Sequence, residues 1–266
     1  MSYTPNPKFH HSGILAAIPQ KGRCPNGCED CFFQSGRSYL EPLSENLPNM
    51  PSLEQAKGRI VRMNDGNDSN VNRKLVMGQA EQYEDYFYNT AINNDLKEFN
   101  APVVLTVNPG ELTDNQWQKV EMPIPYNLMF VRIRTNIWNL ETVVKPAVAY
   151  YTERGVPAIL TFMAYFEPKK LMGDNYIYRV RTTNPYYAIT THAWEQIMAM
   201  FKHNHYVFSC GKEGEKGVSG CTHCGNCIRE YYNTKERMRM ETGQQRWERE
   251  NADMLKTLSE KVKGMK

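Results

Sequence analysis

The chain contains no run of about 18 consecutive apolar residues, so no membrane-spanning helix is expected. Its first residues, Met1 to Phe9, are polar and contain proline. They lack the basic stretch and apolar core of a secretory signal, and none is expected. No charge of either sign dominates: 32 Lys and Arg stand against 29 Asp and Glu. The resulting net charge of +3 is too small to argue for nucleic acid by itself. No internal repeat is apparent, and the six histidines show no metal-ligand spacing among themselves. His203 and His205, two apart, would not share a helix face. An even disulfide framework is also missing. The cysteines number seven, split three near the start and four near the end. That partition fits two metal centres in a reducing cytoplasm better than an oxidising compartment. What remains is ordinary globular composition over 266 residues, enough for one substantial domain with an appendage.

What is present is sulfur in two tight groups. The first is Cys24-Pro-Asn-Gly-Cys28-Glu-Asp-Cys31. Three thiolates in one short loop can hold three irons of a 4Fe–4S cluster, for which thiolate is the preferred soft ligand. The fourth iron is then open to a ligand that is not protein, which argues for an enzyme over an electron carrier. Structural zinc would need four protein ligands, commonly as two separated pairs. The nearest upstream candidates, His10 and His11, are more than a dozen residues away.

The second group is Cys210 followed by Cys221-Thr-His-Cys224-Gly-Asn-Cys227. The run C-x2-C-G-x-C resembles the cluster-binding run of bacterial ferredoxins, with Gly225 free to take positive φ. Cys210 can return across the loop 211–220, which carries Lys212 and Lys216, at modest entropic cost. Four ligands would complete a second, auxiliary 4Fe–4S cluster with no open iron. A four-cysteine zinc site is the alternative. His223, inside the run, reads as a solvated residue or a partner of the ligands.

The scaffold reads as α/β. Apolar runs at 13–18, 74–78, 102–108, 127–133, 157–162 and 206–208 are expected to be buried parallel strands. Helices are expected from Ser52, with Gln55 in the capping-box position, to about 63. Others are expected over 81–99, 140–154 with Gly155 as terminator, and 191–202. Strands alternating with helices imply a parallel sheet with right-handed crossovers. Residues 64–72 are a polar turn cluster. From Ile228 the chain is charged, with Arg237, Arg239, Arg246 and Arg249 interleaved with Glu236, Glu241, Glu248 and Glu250. A solvated helix laced with ion pairs is expected, broken or kinked at Gly243, with a nucleic-acid-binding helix as second choice.

The spacing C-x3-C-x2-C resembles the signature of the radical S-adenosylmethionine (radical SAM) superfamily. Where members usually carry an aromatic before the third cysteine, this chain has Asp30, with Phe32 and Phe33 following. The resemblance implies a partial (β/α)6 barrel over 1–208, with 209–266 forming a cysteine-rich cluster region and helical tail. It implies that the first cluster binds S-adenosylmethionine through its open iron. Reductive cleavage would then give methionine and a 5′-deoxyadenosyl radical that takes hydrogen from a substrate. An electron donor such as flavodoxin or ferredoxin is implied, and no catalytic side chain beyond the cluster ligands.

Cofactor contacts follow by position. Gly78-Gln79-Ala80-Glu81 is similar to a degenerate Gly-Gly-Glu motif, which meets the amino group of the methionine moiety. Asn108 would bond the ribose or carboxylate, and Met163 falls where the family contacts adenine. Arg132 or Arg134 would hold the carboxylate through its planar fork. Two exposed charges on a wet strand face are the competing account. Tyr176, Tyr178, Arg179, Arg181, Tyr186 and Tyr187 suit either stacking on a substrate ring or core packing. The substrate is expected to be a nucleotide, nucleobase or small molecule. Rival readings are a peptide-modifying member of the family, an iron–sulfur electron carrier and a zinc-stabilised nucleic-acid-binding protein.

Overall fold

Seven short strands rich in Val, Ile, Leu and aromatics pair in parallel in the computed structural model. It describes residues 2–108, 124–180, 185–213, 218–219 and 221–250. The strands are β1 (Ile14–Ala17), β2 (Ile60–Met63), β3 (Tyr86–Thr90), β4 (Val103–Val107), β5 (Leu128–Thr135), β6 (Ala158–Phe162) and β9 (Val207–Ser209). Their order in the sheet is β1-β2-β3-β4-β5-β6-β9, with every pairing parallel. Between β6 and β9 lies an antiparallel hairpin of β7 (Tyr176–Arg179) and β8 (Tyr186–Ile189). The two-residue strands β10 (Lys212–Glu213) and β11 (Val218–Ser219) pair in the loop after β9.

Helices α1 (Leu43–Asn46) and α2 (Leu53–Ala56) are single turns, and α3 spans Arg73–Ala80. A π-helical turn at Leu140–Val144 leads into α4 (Lys145–Thr152), and α5 spans Thr191–Met200. The chain closes with α6 (Cys221–Cys224) and α7 (Asn226–Glu250).

Period-two alternation gives the sheet two different faces. Leu15, Val61, Tyr88, Val103, Leu105, Val131, Ile133 and Leu160 point to one side. They pack there against Val76 and Ala80 of α3, Ala147 and Tyr151 of α4, and Ile197 of α5. Ile60, Phe87, Val104, Phe130 and Ile159 point to the other side, where they meet Tyr231 of α7. No strand order reverses, so the crossover helices share one face and α7 covers the opposite one.

Several expected elements differ. Residues 74–78 form no strand; Lys74 to Gly78 lie inside α3, with Val76 and Ala80 fully buried at the i,i+4 spacing of a helix. The second strand is Ile60–Met63 instead. The Ser52/Gln55 capping box forms, but its helix lasts one turn and ends before Gly58 at φ +69°. The expected helix over 81–99 holds β3, because Phe87 and Tyr88 are buried aromatics that fit the pleated sheet better than a helix surface. The strands expected near 13–18, 102–108, 127–133, 157–162 and 206–208 are present, and Gly155 ends the α4 turn at φ +72°.

The tail is not simply solvated. Tyr231 and Thr234 are buried, and Arg237 donates to the carbonyls of Tyr126 and Leu128 at 2.8 and 2.6 Å. Gly243 interrupts nothing: α7 is continuous through it. Residues 251–266 and Arg181 lie outside the described residues, as do the side chains of His223, Arg246, Glu248, Arg249 and Glu250.

Asp85, just before β3, fastens α7 by accepting from Tyr231 Oη at 2.9 Å and Lys235 Nζ at 2.7 Å. Burial pushes the Asp85 carboxyl up, but these two bonds and the Lys235 charge outweigh it and hold the group below 3.8. A lowered folded-state pKa stabilises above the unfolded value and is lost as pH falls through the folded one. Asp85→Asn should therefore lower the urea midpoint at pH 7, and the deficit should shrink at pH 3. Equal deficits at both pH values would contradict this.

Candidate functional site

The first cysteine group occupies the loop after β1, at the carboxyl edge of the sheet, where ligands gather in parallel α/β folds. Gly27 turns the chain at φ +61° between Cys24 and Cys28, and the Cys31 amide closes a turn onto the Cys28 carbonyl at 3.2 Å. Asn108, one residue past β4, directs Nδ2 to Cys28 Sγ at 3.6 Å. Arg134, near the end of β5, grips the same loop. Its two terminal nitrogens reach the Glu29 carbonyl at 3.0 Å each and the Asp30 carbonyl at 3.2 Å. It also donates to Asn108 Oδ1 at 3.2 Å and through Nε to Met163 Sδ at 3.1 Å. These contacts engage all five guanidinium N–H groups. The sheet thus brings Asn108, Arg134 and Met163 together with the cysteine loop, and Arg134 is occupied with holding that loop.

A carboxylate within the polar cluster 64–72 organises the other side. Asp68 is buried and accepts from Thr90 Oγ1 and the Ala91 amide at 2.7 Å each. It also accepts from the Asn70 amide at 2.8 Å and from Asn26 Nδ2, between Cys24 and Cys28, at 2.9 Å. Gln20 Nε2 bonds the Asp68 carbonyl at 2.8 Å. Gln20 Oε1 and Asn64 Oδ1 are buried acceptors with no partner among the described residues. Gly66 leaves room for Phe33: an added Cβ would sit 2.3 Å from that ring.

A cavity of about 460 Å³ opens beside Cys28 and Cys31, walled by Tyr165, Phe166, Arg37 and Lys169. Its charges are partnered. Lys169 pairs with Asp30 at 2.8 Å, and Arg37 stacks 4.3 Å from the Phe166 ring centre. Burial pushes the Tyr165 phenol up to about 12, leaving it neutral.

Gly78, Gln79 and Glu81 are not part of this site. They belong to the end of α3 and its cap, and Glu81 accepts from Asn100 at 3.0 Å. The reason is the misplaced second strand: the residues following the true β2 are Asn64-Asp65-Gly66. Nor does Arg132 reach the first cysteine loop; it bonds Asn89 Oδ1 at 3.2 Å. The hairpin β7–β8 divides the aromatics: Tyr176 is buried in the core, while Tyr178 is exposed.

Arg132 belongs to the second cysteine group, on the face covered by α7. A small cavity of about 20 Å³ is lined by Cys210, Cys221, Cys224 and Cys227 together with Arg62, Arg132, Ile14, Phe130 and Ile159. Cys210 follows β9, its amide bonded to the Leu160 carbonyl at 2.8 Å. Cys221 and Cys224 share one face of α6 at i,i+3. Gly225 at φ +58° separates α6 from α7, and Cys227 sits in the first turn of α7. Asn226 locks this turn to the Ser209 carbonyl at 2.8 Å.

The Cys224 hydrogen bond draws the Cys210 thiol down against the effect of burial, with Arg132 and Arg62 helping; Cys224, its partner, moves up. Burial pushes Cys221 up to about 12. None of the seven cysteines is in a disulfide, and no group of three or more described His, Cys, Asp or Glu side chains is drawn together tightly enough to chelate one ion.

Arg62 and Asp68 carry little or no signal in the sequence. The signal for Arg62 was one charged residue inside the apolar run Ile60-Val61-Arg62-Met63. Asp68 gave none, since acidic residues are commonplace in turns.

Comparison with known protein families, characterised proteins and solved structures finds no match for this chain.

Asp68→Asn would turn one acceptor into a donor facing donors, and is expected to cost about 1–3 kcal/mol in denaturant unfolding. Gly66→Ala should displace Phe33 and, with it, Cys31; an unchanged first cysteine loop in a crystal structure of that variant would rule this out.

Proposed function

We propose that the chain is a radical S-adenosylmethionine enzyme, cleaving that cofactor reductively to begin hydrogen abstraction from a substrate. The observation that carries this reading is the meeting of a C-x3-C-x2-C loop with Asn108, Arg134 and Met163 at the carboxyl edge of a parallel sheet. The sheet's sequential strand order also suits the partial barrel of that superfamily.

The residues present fit the groups required. Cys24, Cys28 and Cys31 offer three soft thiol ligands within one loop and would leave the fourth iron of a 4Fe–4S cluster without a protein ligand. The unpartnered acceptors Gln20 Oε1 and Asn64 Oδ1 suit the ammonium and hydroxyl donors of S-adenosylmethionine. Cys210, Cys221, Cys224 and Cys227 offer four thiols for the auxiliary 4Fe–4S cluster. When bound, the two clusters and the sulfonium supply the one-electron chemistry that no side chain here provides.

The chain's own contribution is placement. Arg134 fixes the carbonyls between Cys28 and Cys31, so the loop keeps one shape as ligands arrive. Asn108 donates toward Cys28 Sγ and ties that thiol to the end of β4. Tyr165 and Phe166 give the cavity flat apolar walls on which a ring can stack, consistent with a nucleotide, nucleobase or other small cyclic substrate. Ile14, Phe130 and Ile159 exclude water from the second group. An electron donor of flavodoxin or ferredoxin type completes the reading. Free thiols, with no described helix long and apolar enough to cross a membrane, are consistent with a cytoplasmic setting.

The test is anaerobic reconstitution followed by incubation with S-adenosylmethionine and dithionite. The expected product is 5′-deoxyadenosine, with iron and sulfide sufficient for two clusters. Cys28→Ala should abolish the product, and Arg134→Met should reduce iron at the first centre while the fold, read by circular dichroism, persists. Tightly held zinc at both groups, or product from Cys28→Ala, would refute the assignment.

A further inference from the structure

Two guanidiniums lie beside the second cysteine group, Arg132 buried and Arg62 nearly so, and only one has a carboxylate. Arg62 of β2 pairs with Asp65 at 2.8 Å. Arg132 of β5 is 9% exposed and accepts no such help. Its contacts are Asn89 Oδ1 at 3.2 Å, the Phe130 ring at 5.7 Å and the thiol of Cys227. Among the described residues it forms no ion pair with a carboxylate. Arginine does not shed its proton inside a protein, so burial cannot be relieved by neutralisation. A buried charge without a counter-charge is strongly unfavourable. The two arginines and Asp65 therefore leave one positive charge in surplus against a pocket walled otherwise by Ile14, Phe130 and Ile159. The remaining groups in that pocket able to carry negative charge are the four thiols.

We propose that Arg62 and Arg132 are the counter-charge of the second cysteine centre, positioning residues that hold it in an anionic, four-cysteine state and set its reduction potential. The proposal rests on reading these cysteines as an iron–sulfur centre. A cubane held by four thiolates carries net negative charge. On reduction it takes one electron from an external reductant, here dithionite, and no proton, so the negative charge grows by one. Fixed cations a few ångströms away stabilise the reduced form more than the oxidised one and raise the potential.

The test uses the full chain with Cys24, Cys28 and Cys31 changed to alanine, so that the second centre alone is read. Iron and sulfide are added anaerobically, and the protein is titrated with dithionite and followed by electron paramagnetic resonance. In this parent, Arg132→Met should weaken the one-electron reduction equilibrium at least tenfold, a fall in potential of about 59 mV. Arg132→Lys, which keeps the charge, should move it much less. Full iron content with an unmoved potential in Arg132→Met overturns the inference while leaving the metal assignment intact. A parent that takes up no iron removes the metal assignment, and this inference with it.

A second measurement covers the case in which Arg132→Met does not load. In the metal-free protein the buried guanidinium has lost its anion, so metal-free Arg132→Met should melt at or above the metal-free parent. A clearly lower melting temperature would mean that Arg132 serves packing alone and would overturn the inference.

Discussion

Seven parallel strands that follow one another in chain order can cover only one side of their sheet with crossover helices. The other side exposes Ile60, Phe87, Val104, Phe130 and Ile159, a row that water would not tolerate. The rest of the molecule answers that constraint. The chain returns after β9 and lays α7 across this face, with Tyr231 inserted among the aromatic and aliphatic side chains. Because α7 must begin where β9 leaves the sheet, Cys210, α6 and Cys227 are carried to the interior end of the helix. The position of the second cysteine group is thus a by-product of closing the sheet.

The two cysteine groups are read by one strand. Arg132 and Arg134 are separated by a single residue of β5, so both side chains leave the same face, about 7 Å apart along it. The outer one grips the loop that follows β1, and the inner one faces the thiols that follow β9. Chain segments nearly two hundred residues apart are thereby indexed against neighbouring positions of a rigid, doubly buried strand. Sites built on strands in this manner are held more closely than sites made by loops alone.

Much of the architecture was legible in the sequence because parallel strands are buried on both faces and appear as unbroken apolar runs. Ile14–Ala17, Val103–Val107 and Ala158–Phe162 give that signal, and β5 gives it over four apolar residues, Leu128 to Val131, before its first arginine. β2 and β3 did not. Ile60–Met63 is interrupted by Arg62, whose charge is accommodated by Asp65 and the cysteine pocket, a tertiary fact. Tyr86–Thr90 follows polar residues that continue a helical pattern, and only burial of Phe87 and Tyr88 selects the strand. Missing β2 displaced the expected cofactor motif onto α3. Cysteine spacing does not depend on where the strands fall, because it is local: Cys24, Cys28 and Cys31 need only one loop. Asn108, Arg134 and Met163 meet at the first cysteine loop because each ends, or directly follows, a strand that is legible in the sequence. Asp68 needed knowledge of which donors would converge on it.

Arg134 satisfies its guanidinium entirely with uncharged acceptors: two carbonyls, a carboxamide and a thioether. Nothing in that set cancels its positive charge. The three sulfurs at the mouth therefore lie beside a cation anchored by the very backbone on which they are strung.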